Sequence, residues 1–243
     1  GQVDHRRHLS GGFIQHRGDI SSIIKQKNDY YIGFKSSGLI QLKYLPDSKV
    51  KYAIQSINIQ SGIFCLMKDR FQDIIWVGAD GQGIYMYFTD EFSIENVLLD
   101  VPEYRVNNPV RALFLDHEQT LWIGTKGGGI LRMMDFYPDR ETLPQAERIL
   151  ANNSALMDNS VYSFAPGRRK SLWIGTEDGL NYYSYLTKRI EEFPVIADGK
   201  KVKYVHSICE TNDSTLWVVS AGEGIVKITL EASSSLPKVK SAQ

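Results

Sequence analysis

The stretch Leu-Trp-Ile-Gly-Thr-Lys-Gly-Gly-Gly-Ile at residues 121–130 decides the fold, because similar stretches recur along the chain. Each copy pairs an apolar box around an aromatic residue with a glycine turn that leads into a second apolar run. The aromatic position of the box, which is Tyr in the first copy and Trp in the others, falls at residues 31, 76, 122, 173 and 217. A repeat of about 46 residues indicates an array of similar structural units.

A second element precedes each box by 11 to 13 residues and reads apolar, variable, small, apolar. A third apolar run follows the glycines of the box, and a weaker fourth run lies further on. Four short runs rich in β-branched and aromatic residues, separated by turn-forming residues, are typical of four antiparallel strands. The sequence therefore predicts an all-β protein, a β-propeller built of four-stranded antiparallel blades with five blade units present.

The repeats fill most of the chain and define its expected organisation. We expect a flexible N-terminus over residues 1–11, five blade repeats over 12–230, and a C-terminal tail or linker over 231–243. Five units favour a part of a larger propeller, and the family that the boxes at residues 121–130 and 172–180 resemble implies about seven blades. Closure as a small ring is the alternative, with an N-terminal strand at residues 12–16 completing the last blade.

The most repeated residues have structural roles. The large flat Trp can fill the space between adjacent blades, and the glycine after Trp-Ile permits a neighbouring blade to approach closely. The two cysteines, Cys65 and Cys209, lie in apolar runs and are expected to be small core residues. None of these positions is therefore a candidate for binding or catalysis.

Composition and motifs exclude several functions. Lys and Arg together number 28, as do Asp and Glu, so the formal net charge of zero offers no electrostatic basis for contact with nucleic acid. The sequence contains no run of about 18 apolar residues, no zinc-ligand spacing and no nucleophile elbow. We therefore predict no metal site, no cofactor and no catalytic residues in this chain.

One position in each repeat varies: the second residue of the run that precedes the box. Because neighbouring residues of a strand point to opposite faces, this position escapes the packing that its neighbours obey. Turn residues from the same end of each blade should share a rim with it. The variable residues are Ser21, Phe64, Arg111, Tyr162 and His206, and their rim neighbours are Asp80, Lys126, Glu177, Asp178, Tyr204 and Glu223.

The boxes at residues 121–130 and 172–180, with the approach segment at 153–161, closely resemble the two-component regulator propeller repeat. The resemblance covers roughly residues 12–230. It implies the periplasmic sensor region of a hybrid two-component histidine kinase of Bacteroidetes, whose kinase domain would lie outside this chain. It also implies an oligosaccharide ligand, a homodimeric parent protein, and a membrane tether contributed only by downstream sequence. We therefore expect this segment to be no enzyme.

The variable residues suit such a ligand. Aromatic faces contact the C–H surface of a sugar, and charged groups bind its hydroxyls. The candidate ligand-binding residues are Phe64, Arg111, Tyr162, His206, Lys126, Tyr204, Glu177 and Glu223. Two other interpretations stay open: these residues only line a wet channel, or the propeller is a protein–protein or dimerisation scaffold without a small-molecule ligand.

Overall fold

A computed structural model describes residues 7–8, 18–97, 102, 105–134, 145–212, 214–231 and 236–243. The regular elements in these ranges are all strands. They are β1 (Arg7–His8), β2 (Ile20–Gln26), β3 (Asp29–Phe34), β4 (Gly38–Tyr44), β5 (Tyr52–Ile57), β6 (Ile63–Lys68), β7 (Ile74–Ala79), β8 (Ile84–Phe88), β9 (Ser93–Val97), β10 (Val110–Leu115), β11 (Leu121–Thr125) and β12 (Ile130–Met134). They continue with β13 (Gln145–Ile149), β14 (Val161–Gly167), β15 (Ser171–Thr176), β16 (Gly179–Ser184), β17 (Arg189–Phe193), β18 (Ile196–Ala197), β19 (Lys200–Lys201), β20 (Val205–Asn212), β21 (Thr215–Ser220), β22 (Gly224–Leu230) and β23 (Val239–Ala242).

The described strands form five antiparallel sheets, one for each repeat, and a small hairpin. Each sheet is a meander in which four strands pair in the order of the sequence. Blade 1 contains β2 to β5, blade 2 β6 to β9, blade 3 β10 to β13, blade 4 β14 to β17 and blade 5 β20 to β23; β18 and β19 form the hairpin. The prediction of an all-β fold built of four-stranded antiparallel propeller blades is confirmed.

The chain divides into two compact units, residues 1–110 and 111–243. The first unit holds blades 1 and 2, whose shared core includes Tyr31, Ile63 and Tyr87. The second unit holds blades 3, 4 and 5. Its cores lie between successive blades, one around Trp122 of blade 3 and the other around Trp173 of blade 4. Within each unit the hydrophobic contacts therefore run from blade to blade, as in other repeat architectures.

The tryptophans of the boxes are anchored by hydrogen bonds as well as by packing. The indole Nε1 of Trp76 donates to Asp69 at 2.9 Å, and that of Trp122 donates to Asp116 at the same distance. Blade 4 carries Gly167 where blade 3 has Asp116, and Trp173 donates instead to Glu210 of blade 5 at 2.8 Å. These carboxylates satisfy donors that are fully buried, which a core of this density requires.

The box glycine brings successive blades into close contact. A Cβ placed on Gly175 would lie 2.5 Å from the carbonyl oxygen of Val205 and 2.2 Å from Oγ of Ser163. Such distances are well inside van der Waals contact, so only glycine fits between the second strand of blade 4 and the first strand of blade 5. The predicted role of this residue is confirmed at this interface.

Both ends of the chain differ from the expected organisation. The segment 231–243 was expected to be a tail or linker, yet β23 pairs with β22 and is the fourth strand of blade 5. Its weak apolar alternation and the serines before it conceal this strand in the sequence. Arg7 and His8, placed in the expected flexible N-terminus, pair with Ile54 and Ala53 of β5. The expected strand at residues 12–16 lies outside the described residues.

One face of blade 5 is exposed. Trp217 is 39% exposed, although Trp122 and Trp173 at the same position of their blades are fully buried by the blade that follows. Val219 and Ile225, paired across β21 and β22, are exposed on the same face. Cys209 pairs with Trp217 and is exposed, so its expected place in the core is wrong. This apolar surface resembles the surfaces that other blades bury, which fits a part of a propeller.

Candidate functional site

The variable position lies at a β-bulge in blades 1, 2, 4 and 5. The pairing between the first and second strands slips by one residue at Ser21, Phe64, Tyr162 and His206. A bulged residue has no partner in the ladder, and the kink turns its side chain away from the regular alternation. The residue type at a bulge can therefore differ from blade to blade. Sequence reasoning found the position but attributed its freedom to alternation alone.

In the unit of residues 111–243, the bulges of blades 4 and 5 bring two rings together. The rings of Tyr162 and His206 lie 4.7 Å apart between centroids and are tilted by 31°. At this distance the two tilted rings are in contact, and we call this ring pair the aromatic stack. Tyr162 is half-buried and His206 is exposed, so the stack presents an aromatic surface to solvent.

Polar groups surround this stack. The hydroxyl of Tyr162 donates a hydrogen bond to Oε2 of Glu177 at 2.8 Å. Burial, followed by the hydrogen bond and the charge of Glu177, raises the pKa of Tyr162 to about 12, while the nearby positive charge of Arg111 opposes the rise. Tyr162 is therefore a neutral donor at physiological pH. Arg111, Tyr162, Glu177 and His206 together form what we call the rim cluster.

Backbone hydrogen bonds fix the loops that carry the cluster. The amide of Glu177 donates to the carbonyl of Ser160 at 2.9 Å, and the amide of Tyr204 donates to the carbonyl of Glu177 at 2.8 Å. Tyr204 adopts a left-handed φ of 50° and is 43% exposed. Its exposed ring therefore lies on a loop that is tied to blade 4.

A charged group that sequence reasoning only partly identified adjoins the cluster. The carboxylate of Asp178, next to Glu177, accepts a hydrogen bond from Lys201 at 2.6 Å and pairs with Lys203 at 2.8 Å. These two lysines lower the pKa of Asp178, so the carboxylate stays ionised well into the acid range. The lysine-rich stretch at residues 200–203 was a signal for this pairing, but spacing alone could not show its partner.

The other predicted site residues are more dispersed. Phe64 belongs to the unit of residues 1–110, where it lies half-buried at the bulge of blade 2. Ser21, at the bulge of blade 1, donates to the carbonyls of Gly33 and Ile63, which is a structural role. Lys126 is exposed in the turn of blade 3, and Glu223 lies 3.9 Å from Lys200 of the hairpin.

The rim cluster can bind a polar ligand. It offers an arginine cation, a carboxylate, a hydroxyl and an imidazole beside an aromatic surface, which suits a molecule with both hydroxyl and C–H faces. Across the described ranges, no group of three or more His, Cys, Asp or Glu side chains is placed to hold a metal ion. The same ranges contain no helix of the length and apolarity needed to cross a membrane.

Comparison with known proteins identifies the repeat. The sequence profile of the two-component regulator propeller matches residues 105–127 and 155–178. These segments contain the first strands and boxes of blades 3 and 4, and with them Arg111, Tyr162 and Glu177 of the rim cluster. Blades 3 and 4 therefore carry segments that match the two-component regulator propeller repeat. The resemblance seen in the sequence is confirmed over these two segments.

The chain is similar to parts of longer proteins. A curated relative, histidine kinase P4 of Formosa agariphila, is 27% identical over 181 residues, which are 73% of this chain and 13% of the kinase. An extracellular domain of a B. thetaiotaomicron hybrid two-component system superposes with a TM-score of 0.68 at 21% identity, covering 90% of this chain and 28% of that one. PorZ, a surface component of the type-IX secretion system of Porphyromonas gingivalis, superposes with a TM-score of 0.64 at 15% sequence identity. The match covers 92% of this chain and 33% of PorZ.

Proposed function

We propose that this chain is a ligand-sensing segment in the periplasmic sensor region of a two-component system, and that its ligand is an oligosaccharide. The observation that carries the proposal is the rim cluster: β-bulges present residues that differ from blade to blade beside an aromatic stack. The residues that build the blades recur in each repeat, whereas the residues of the rim cluster differ between blades. This is expected when one set of residues stabilises the fold and another set determines ligand specificity. The chain spans about an eighth of the kinase that it matches, so signalling belongs to the longer protein.

The chemistry of the cluster supports a sugar ligand. His206 and Tyr204 expose rings for the C–H face of a pyranose, while Arg111 and Glu177 offer a donor and an acceptor for its hydroxyls. The Tyr162–Glu177 hydrogen bond and the loop amides hold this arrangement before a ligand arrives. A preorganised site loses less conformational entropy on binding, which favours affinity for a flexible oligosaccharide.

A ligand held by several blades can also transmit a signal. Arg111 lies on blade 3, Tyr162 on blade 4 and His206 on blade 5, so one bound oligosaccharide would bridge three blades. It would stabilise the arrangement of blades that it fits best. In a paired sensor, the ligand would shift the population toward the arrangement of the dimer that binds it more tightly. The free energy of this shift is at most the difference between the binding free energies of the two arrangements.

Calorimetric titration of the purified chain with a panel of oligosaccharides tests the proposal. Arg111→Ala and His206→Ala should each weaken binding about tenfold, because each removes a direct contact at the cluster. Lys240→Ala, an exposed cation on the outer strand of blade 5, is the matched control and should leave affinity unchanged. Equal affinities in all four proteins would refute the site. A dimer that forms without any response to sugars would favour the scaffold function instead.

A further inference from the structure

A second cavity lies in the unit of residues 111–243, on the outer strands and away from the bulges. It is a cleft of about 490 Å³ between blades 3 and 4. Its walls include Arg132 on β12, Glu147 on β13, Tyr183 on β16 and the loop at residues 153–155, with Arg189 on β17. The volume falls within the range of sites for small molecules.

Arg132 is held rigidly in this cleft. Its guanidinium lies 5.0 Å from the ring centroid of Trp122 and 4.9 Å from that of Tyr183, between two aromatic rings of successive blades. Nη1 donates to Oε2 of Glu147 at 3.3 Å, and the side chain is only 12% exposed. An arginine fixed in this way presents a preorganised donor edge, because the cost of ordering its side chain is already met by the fold.

Two donors in the cleft are unsatisfied. Nε of Arg132 and the hydroxyl of Tyr183 are buried and have no hydrogen-bond partner among the described residues. Two other polar residues of the wall have partners. The Asn153 amide accepts from the amide of Leu150 and donates to the carbonyl of Arg148, and Ser154 donates to the carbonyl of Leu150. Buried polar groups without partners are rare and costly, and an absent ligand or water is a usual reason for them.

The protonation state of Tyr183 suits a donor. Burial raises the pKa of its hydroxyl, and the positive charge of Arg132 opposes part of that rise. The hydroxyl therefore keeps its proton at physiological pH. Because the guanidinium carries only donors, a hydrogen bond between the two groups can run only from Arg132 to the Tyr183 oxygen, so the hydroxyl proton still awaits an acceptor.

The scaffold does not require an arginine at this position. Residue 132 pairs across the strands with Trp122, and the corresponding residues of the other blades are Gln41, Met86, Tyr182 and Lys227. Because Met86 occupies this position in blade 2, an apolar side chain is compatible with the blade. The charge of Arg132 is therefore a feature of this cleft and not of the repeat.

We propose that the cleft between blades 3 and 4 binds a small carboxylate through Nε of Arg132 and the hydroxyl of Tyr183. Glu147 accepts from Nη1, and Nε on the other edge of the guanidinium has no partner among the described residues; that edge matches the two oxygens of a carboxylate. Arg189 adds a second cation to the lining, whereas Lys188 is paired with Glu118 outside it at 2.7 Å. This site is independent of the rim cluster.

Malonate tests the proposal, with its neutral isostere malonamide at equal ionic strength as the matched probe. In the full chain, malonate should shift the Nε–Hε NMR signal of Arg132 in a saturable way, and malonamide should not. Tyr183→Phe keeps the ring and removes only the unsatisfied hydroxyl, so it should weaken malonate binding about tenfold without loss of stability. Arg132→Met, which introduces the side chain that blade 2 carries at this position, should abolish binding.

Tyr87→Phe is the matched control. Tyr87 holds the position of blade 2 that corresponds to Tyr183, and its hydroxyl is equally buried and without a partner among the described residues. Its removal should leave malonate binding unchanged. The proposal is overturned if malonate gives no saturable shift, if malonamide binds as well as malonate, or if Tyr183→Phe binds as tightly as the unmodified chain.

Discussion

Replacement of Asp116 by alanine should cost about 3–5 kcal/mol of the free energy of unfolding. This carboxylate, only 1% exposed, accepts four hydrogen bonds within the unit of residues 111–243. Oδ1 accepts from the amides of Glu118 at 2.9 Å and Thr120 at 2.8 Å, and Oδ2 accepts from Nε1 of Trp122 at 2.9 Å and the hydroxyl of Tyr185 at 3.1 Å. Asp116 thus links the turn of blade 3 to its own Trp and to blade 4.

The magnitude follows from the donors that the substitution leaves without an acceptor. The indole of Trp122 and the amide of Thr120 are buried, and each unsatisfied donor costs about 1–3 kcal/mol. The Tyr185 hydroxyl adds a smaller amount, because it lies at the edge of the blade. A loss of this size is a large fraction of the stability of a typical domain.

Urea unfolding followed by circular dichroism measures the effect. Glu118→Ala is the control, since this carboxylate lies in the same turn but makes an exposed pair with Lys188 that should contribute about 1 kcal/mol or less. A double-mutant cycle with Tyr185→Phe should show a coupling of about 1 kcal/mol with Asp116. The reasoning fails if Asp116→Ala and Glu118→Ala destabilise the chain equally.

Three further predictions concern other parts of the second unit. Gly175→Ala should lower the free energy of unfolding in urea by about 2–3 kcal/mol, because the new Cβ would lie 2.5 Å from the carbonyl oxygen of Val205. A decrease in the free energy of unfolding below about 0.5 kcal/mol would contradict the close approach of blades 4 and 5. Acrylamide should quench one class of tryptophan, and Trp217→Phe should remove it; a quenchable class that survives would show that another Trp is exposed. Lys201 and Lys203 lower the pKa of Asp178 below 3.8, so this ion pairing stabilises the fold above pH 3.8 and the stabilisation is lost as the pH falls through the lowered pKa. Lys201→Met should reduce the stability that the chain loses in acid unfolding. Identical acid midpoints in the two proteins would count against the pairing.

The repeat made the blades predictable, because the Trp box, the glycine turn and the first strand recur with a nearly constant period. The boundaries were less accessible. The strand β23 has only four residues with weak alternation, and its place depends on pairing with Leu230 and its neighbours, a long-range contact that no local pattern records. Local patterns predict elements best where the pattern is long and repeated.

The candidate site was predictable in part. The variation at residues 111, 162 and 206 marked these positions, and the structure adds the bulge at Tyr162 and His206. The stacking of Tyr162 on His206 and the pairing of Asp178 with Lys201 and Lys203 depend on how successive blades pack, so sequence spacing could not show them. The hydrogen-bond acceptors of the tryptophan indoles could not be predicted for the same reason. Asp is common in turns, so the sequence does not show that Asp69 accepts a hydrogen bond from Trp76.

The most direct test of the account follows the two exposed histidines of the second unit during titration with the oligosaccharide panel. His206 stacks on Tyr162 in the rim cluster, whereas His117 lies 4.5 Å from the ring of Tyr185 in the turn that follows the first strand of blade 3. Imidazole NMR signals of the full chain distinguish the two. The account predicts that a sugar of the panel shifts the signals of His206 in a saturable way and leaves those of His117 unchanged. The absence of any shift at His206, or an equal shift at both histidines, would contradict it.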